Sequence, residues 1–142
     1  MLFSKRERLI RRILVVEDEP LVAFDNEHLL GGEGYEVVAT VDNVTDAERI
    51  IAEEQLDLVL TDITLTGQRT GVDLARIAAA KPVPVLFVTG NCPIEAQALS
   101  IGCLAKPYTA NGLKVALETI DRVLQGKTVK KLPAGLSLYE RT

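Results

Sequence analysis

The chain has no tryptophan, one histidine, one methionine and two cysteines, and aromatic residues make up only 4% of its 142 positions. So thin an aromatic complement leaves no stacking platform for single-stranded nucleic acid. Cys92 and Cys103 fit neither a zinc-binding pattern nor the disulfide framework of a small secreted scaffold. They read as reduced residues in ordinary packing, with a redox-sensing pair as the lesser alternative. Long apolar runs are missing too. The longest stretch free of charge is Pro82–Ile94, thirteen residues, against the ~18 that a membrane-spanning helix needs. Ile13–Val16, the apolar run behind the basic start, is too short for a signal peptide. Internal repeats and low-complexity segments are absent as well. The expectation is a cytoplasmic protein with no membrane and no nucleic-acid partner.

What is present is ordinary in amount and uneven in placement. Hydrophobic residues make up 47% and charged residues 25%, normal for one globular domain of this length. The net charge is −4, but residues 1–12 carry five bases against one acid, and residues 127–142 four bases against one acid. Residues 13–126 therefore hold −11. An acidic body lies between two short basic ends.

Short apolar runs alternate with amphipathic stretches five times. Ile13–Val16, Tyr35–Val41, Leu58–Thr61, Val83–Val88 and Cys103–Ala105 read as strands. Leu21–Leu30 (behind Pro20), Thr45–Glu54, Val72–Ala80, Pro93–Leu99 and a long helix capped by Thr109 read as helices. In the last of these, Leu113, Ala116, Leu117, Ile120, Val123 and Leu124 fall at helical spacing, a core stripe. Gly31, Gly32 and Gly34 follow a helix rather than a strand, so they stop it and form no phosphate cradle. His28, inside the first helix, reads as a surface residue. Unbroken apolar strands are the mark of a parallel sheet covered on both faces. The expected fold is α/β, doubly wound, with a five-stranded parallel sheet in the order 2-1-3-4-5.

That order brings the carboxyl ends of strands 1 and 3 to one crevice. Strand 1 ends in Glu17 and Asp18, strand 3 in Asp62, strand 4 in Thr89 followed by Gly90, and strand 5 in Lys106 followed by Pro107. Three gathered carboxylates repel one another unless a cation compensates them. All-oxygen ligands select a hard cation, and a few carboxylates with water and a phosphate oxygen suit Mg²⁺. A hydroxyl and an ammonium remain to hold phosphoryl oxygens.

The segments Ile13-Leu-Val-Val-Glu-Asp-Glu-Pro20, Leu58-Val-Leu-Thr-Asp62, Val88-Thr-Gly90 and Ala105-Lys-Pro107 resemble the CheY-like receiver domain of bacterial two-component response regulators. The resemblance covers residues 13–126. It implies that Asp62 is the phosphoacceptor and that Mg²⁺ is held by Asp18, Asp62 and the Thr64 backbone carbonyl, with Glu17 acting largely through water. It further implies that Thr89 and Lys106 hold the phosphoryl group and that Lys106–Pro107 is cis. Such a protein is no enzyme in the ordinary sense; it catalyses its own phosphorylation and dephosphorylation. The implied partners are a histidine kinase or phosphotransfer protein and a downstream protein target, with a weak homodimer left open.

With a basic arm over 1–12, a receiver over 13–126 and a basic tail over 127–142, the expected type is a single-domain regulator without an output domain. It resembles those of alphaproteobacterial stress and light signalling. The arm is expected to be solvated, and the tail, with Leu132, Pro133, Leu136, Leu138 and Tyr139, to pack on the domain. Such a regulator signals through protein binding or serves as a phosphate sink.

Four features depart from the family pattern. Cys103 stands where a switch Tyr or Phe is usual; the loop after Asp62 has Leu65-Thr66 for Met-Pro and its Thr70-Gly71 one residue late; Thr64 stands where family side chains tune access of the hydrolytic water; and Gly90 replaces the commoner Ala. Cys103 and the altered loop motivate the alternative of a degenerate receiver, an interaction module independent of phosphorylation. A phosphate-ester hydrolase is disfavoured, because Thr64 stands where such an enzyme would need a second acid.

Overall fold

The computed structural model describes residues 7–92 and 94–139. The strands are β1 Arg12–Val16, β2 Glu36–Val41, β3 Leu58–Thr61, β4 Val85–Thr89, β5 Gly102–Ala105 and β6 Leu136–Leu138. The α-helices are α1 Pro20–Gly32, α2 Val44–Glu53, α3 Gly71–Ala80 and α4 Ala110–Leu124. Local chemistry explains most boundaries. Pro20 opens α1, and Gly34, at φ 90°, supplies the left-handed turn into β2. Asn43 caps α2 by accepting the Asp46 N–H at 2.8 Å, and Thr70 and Asp73 cap α3 reciprocally. Thr109 caps α4 by accepting the Gly112 N–H at 2.9 Å, as the spacing predicts. Between β4 and β5 the expected short helix is a 3-10 helix, Ile94–Leu99; Pro93 lies outside the described residues.

The strands form one sheet in the order β2-β1-β3-β4-β5-β6. The first five pair in parallel, in the expected doubly wound order. The sixth corrects the expected five-stranded sheet: Leu136–Leu138 runs antiparallel along β5, with Leu136 opposite Leu104 and Leu138 opposite Gly102. An uncovered β5 would expose a row of unpaired backbone groups, and the tail satisfies them. The Ala105 N–H donates to the Gly135 carbonyl, and the Tyr139 N–H donates to Ile101. Gly102 is needed there, because a Cβ would run into the Ser137 carbonyl.

Each face of the sheet carries its own core. One contains Ile13, Val15, Leu60, Leu86 and Leu104 under α1 and α4; the other contains Leu14, Val16, Val59, Phe87 and Cys103 under α2 and α3. In α4 the predicted stripe is buried through Leu113, Ala116, Leu117 and Ile120.

Two expectations fail. Residues 7–12 are not a solvated arm. Ile10 is fully buried, Arg8 lies over the Tyr35 ring at 4.1 Å, and the N–H groups of Leu9 and Ile10 donate to the Asp121 carboxylate at 3.0 and 2.9 Å. An apolar residue beside two unpaired N–H groups finds both core and acceptor on the α4 side. Nor are the cysteines merely packed: Cys92 and Cys103 form a disulfide, their Cα atoms 6.2 Å apart. Adjacent parallel strands bring the start of the β4–β5 crossover back over β5, so residues eleven apart in sequence become neighbours.

Candidate functional site

Glu17 and Asp18 leave β1, and Asp62 leaves β3, side by side because Val16 of β1 pairs with Thr61 of β3. The Asp62 N–H donates to the Val16 carbonyl, which holds the two strand ends in register. Oxygen atoms of the three carboxylates all lie within 4.8 Å of one another, with Glu17 and Asp62 buried and Asp18 half-buried. Such a set of hard oxygen donors fits a small divalent cation such as Mg²⁺.

Lys106 arrives from the end of β5, tied to β4 by its own N–H donating to the Thr89 carbonyl. Its Nζ donates to Asp62 Oδ2 at 2.7 Å and to Glu17 Oε1 at 2.9 Å, and lies 3.7 Å from Glu19 Oε1. Burial pushes the Glu17 carboxyl above its ordinary pKa, against the opposing hydrogen bond from Lys106. Burial alone would lower the Lys106 pKa. Hydrogen bonds to Asp62 and Glu17, with their charges, overturn that and hold it above its usual value.

Thr89, buried, closes β4 beside this group, and Gly90 leaves open space where a side chain would stand. The Lys106–Pro107 peptide is cis. Thr64 lies exposed in the loop after β3. Gly71 shapes that loop: its N–H donates to Ile63 at 2.7 Å, and a Cβ would overlap the Asp62 carbonyl. Glycine one residue late in the pattern still performs the close approach.

The fold thus brings together Glu17, Asp18, Asp62 and Lys106, with Thr89 at the adjoining strand end. Two neighbours escaped the sequence reading. Glu19 adds a third acid near Lys106. Tyr108 donates its hydroxyl to Asn26 Oδ1 at 2.8 Å, linking the segment after β5 to α1. A tyrosine two residues past the lysine was the available signal, but nothing in α1 marked Asn26 as its partner. Beside the site a groove of about 640 Å³ runs between α1 and this segment, lined by Glu19, Val22, Asn26, Leu29, Lys106 and Tyr108. His28 lies exposed on α1, stacked on Phe24.

The family model of the response regulator receiver domain matches residues 13–118. The chain belongs to this family. Among relatives of the receiver, the transcriptional regulatory protein PdtaR of Mycobacterium tuberculosis is 32% identical over 114 residues, 76% of this chain and 55% of that protein. The chain thus spans about half the length of that relative. The chemotaxis protein CheY of Pseudomonas aeruginosa is 32% identical over 124 residues, covering 81% of this chain and 99% of CheY. Among solved structures, the receiver domain of the sensor histidine kinase PA1611 from P. aeruginosa superposes with a TM-score of 0.68 at 28% identity. The match covers 77% of this chain and 95% of that one, which has a magnesium ion coordinated in its active-site cleft. Among the described residues, no helix of this receiver is long and apolar enough to cross a membrane.

Proposed function

We propose that this receiver accepts a phosphoryl group onto Asp62 from the phosphohistidine of a histidine kinase or phosphotransfer protein, and signals by binding a protein target or drains phosphate from the kinase. One observation carries the reading: the Lys106 ammonium bridges Asp62 and Glu17 beside three carboxylates gathered within 4.8 Å. A carboxylate oxygen of Asp62 attacks the phosphorus, the bond from phosphorus to the donor nitrogen breaks, and an aspartyl phosphate remains. Glu17, Asp18, Asp62 and the Thr64 carbonyl are the proposed holders of Mg²⁺, which when bound neutralises charge on the phosphoryl oxygens. Lys106 stays with the acceptor carboxylate and pairs with a phosphoryl oxygen, while the Thr89 hydroxyl donates to another. The groove between α1 and Tyr108 offers a donor protein an approach beside Lys106.

Incubation with Mg²⁺ and acetyl phosphate is expected to add the mass of one phosphoryl group to the wild type and none to Asp62→Asn. Equal uptake by the two, or none by either, removes the reading. The degenerate-receiver alternative draws on Cys103 at the usual aromatic position, and failure to bind beryllofluoride with Mg²⁺ would favour it.

A further inference from the structure

The Cys92–Cys103 bond sits where the site is assembled. Cys92 lies three residues past Thr89 and Cys103 three residues before Lys106, so the bond ties together the two segments that deliver those groups. The two ends differ in access. Cys103 is fully buried against the α2–α3 core, whereas Cys92 is half-buried at its margin. Between Thr89 and Cys92 stands Gly90, exposed and with no neighbouring atom where a Cβ would be. Beyond Cys92 the 3-10 helix leaves Ile94 82% exposed, while Leu99 packs half-buried against the α2–α3 core and Ser100 and Ile101 are buried. The covalent bond thus ties the start of this segment, just past Gly90, directly to β5.

We infer that Cys92–Cys103 is a thiol–disulfide exchange site, through which a dithiol reductant loosens the chain after Thr89 and lowers the share of Asp62 that stays phosphorylated. The second half of this statement rests on the proposed function. A thiolate of the reductant attacks Sγ of Cys92, the less buried of the two residues. A mixed disulfide forms, and Cys103 leaves as a thiolate that takes a proton from solvent. The reductant's second thiol then attacks its own sulfur in the mixed disulfide, freeing Cys92 as a second thiolate, which is likewise protonated. Two electrons pass from the dithiol to the cysteine pair, and the reductant departs as an internal disulfide. The freed Cys103 remains a small apolar side chain in an apolar layer, so the reduced protein keeps its fold. What changes is the preorganisation of the strand end that presents the Thr89 hydroxyl.

The test uses the full chain, oxidised or treated with dithiothreitol, with Cys92→Ser and Cys92→Ala as forms that cannot close the bond. Alkylation counts thiols in the folded protein, hydrogen exchange follows Gly90–Cys92 and Ile94–Ser100, and the phosphorylated fraction is read with Mg²⁺ and acetyl phosphate. Dithiothreitol should open the bond without unfolding and raise exchange there at least tenfold, with β1 and β3 unchanged. The phosphorylated fraction should fall at least threefold. Either variant should match the reduced wild type, whether or not dithiothreitol is present. A bond that opens only on unfolding, or equal exchange and equal phosphorylation in both forms, overturns the inference. Absence of uptake from every form would instead sink the receiver reading, and thiol count and exchange would then decide the exchange site alone.

Discussion

The two halves of the crevice are built differently. On the β1–β3 side, charge is concentrated: Glu17, Asp18 and Asp62 crowd within 4.8 Å, and the register of two buried strands fixes their spacing. On the β4–β5 side, the polar groups at the strand ends are one hydroxyl and one ammonium, and the unusual features surround them. These are Gly90 in open space, a disulfide where the family carries an aromatic residue, and a sixth strand sealing the β5 edge. Charge that must be gathered is held by the centre of the sheet, where a slip of either strand would carry a flanking charged residue into a buried layer. The groups proposed to hold a phosphoryl group are carried by the flank, where attachments can vary without undoing the core.

The largest effect should come from removing the Lys106 side chain, which reaches from the β4–β5 side to the carboxylates of the β1–β3 side. Lys106→Met takes away the donor shared by Asp62 and Glu17. Loss of one preorganised charge-stabilising donor typically slows a reaction about 100-fold, and we expect that loss in the phosphorylation rate with acetyl phosphate. Mg²⁺ binding, followed by calorimetry, should survive, because no carboxylate is lost. A variant that loses Mg²⁺ binding along with phosphorylation would show that the halves are one unit, and the comparison would break.

Legibility from sequence divides along the same line. Unbroken apolar runs such as Ile13–Val16 and Leu58–Thr61 expose the central strands, and the residues after them form the candidate site, so strand order alone brings Glu17, Asp18 and Asp62 together. Lys106 and Thr89 follow by the same logic. The disulfide was not legible, because an eleven-residue separation is no sign of contact until β4 and β5 are known to be neighbours with the crossover folding back over them. The sixth strand left a trace in the period-two pattern of Leu136-Ser137-Leu138, but three residues are too few to be told from a loop. Ile10 was misread because five bases within twelve residues suggest solvent, whereas the acceptor for its N–H sits 111 positions away in α4.

That distant acceptor gives a control far from the crevice. Asp121 is fully buried and takes the N–H groups of Leu9 and Ile10 at 3.0 and 2.9 Å, as well as the Gln125 amide at 2.6 Å. Asp121→Ala leaves two backbone donors without their acceptor, and hydrogen bonds to a charged group contribute about 1.5–3 kcal/mol each. We expect a loss of about 3 kcal/mol in urea denaturation, with the extent of Asp62 phosphorylation unchanged in the folded protein. A parallel fall in phosphorylation would mean that the α4 face and the crevice are coupled, contrary to the division drawn above.

The smallest effect is expected at Tyr35, on the same face. Its hydroxyl is buried without a hydrogen-bond partner among the described residues, and burial pushes its pKa up to about 12, with the Arg8 guanidinium over the ring opposing this in part. Removing an unsatisfied hydroxyl while keeping the ring should leave Tyr35→Phe within about 1 kcal/mol of wild type at pH 8, on the more stable side. Alkaline pH separates the two proteins. In the unfolded chain the phenol ionises near its ordinary value of 10, two units below its folded value, so between these limits the unfolded state releases the proton first. Stability from this group is therefore complete below about pH 10 and lost as pH rises through about 12. At pH 11 the wild type should have fallen by about 1.4 kcal/mol more than Tyr35→Phe, measured by urea midpoints at the two pH values. Identical pH dependence in the two would show that the hydroxyl reaches solvent in the folded protein and that the α1–α4 face is less tightly sealed than its packing suggests.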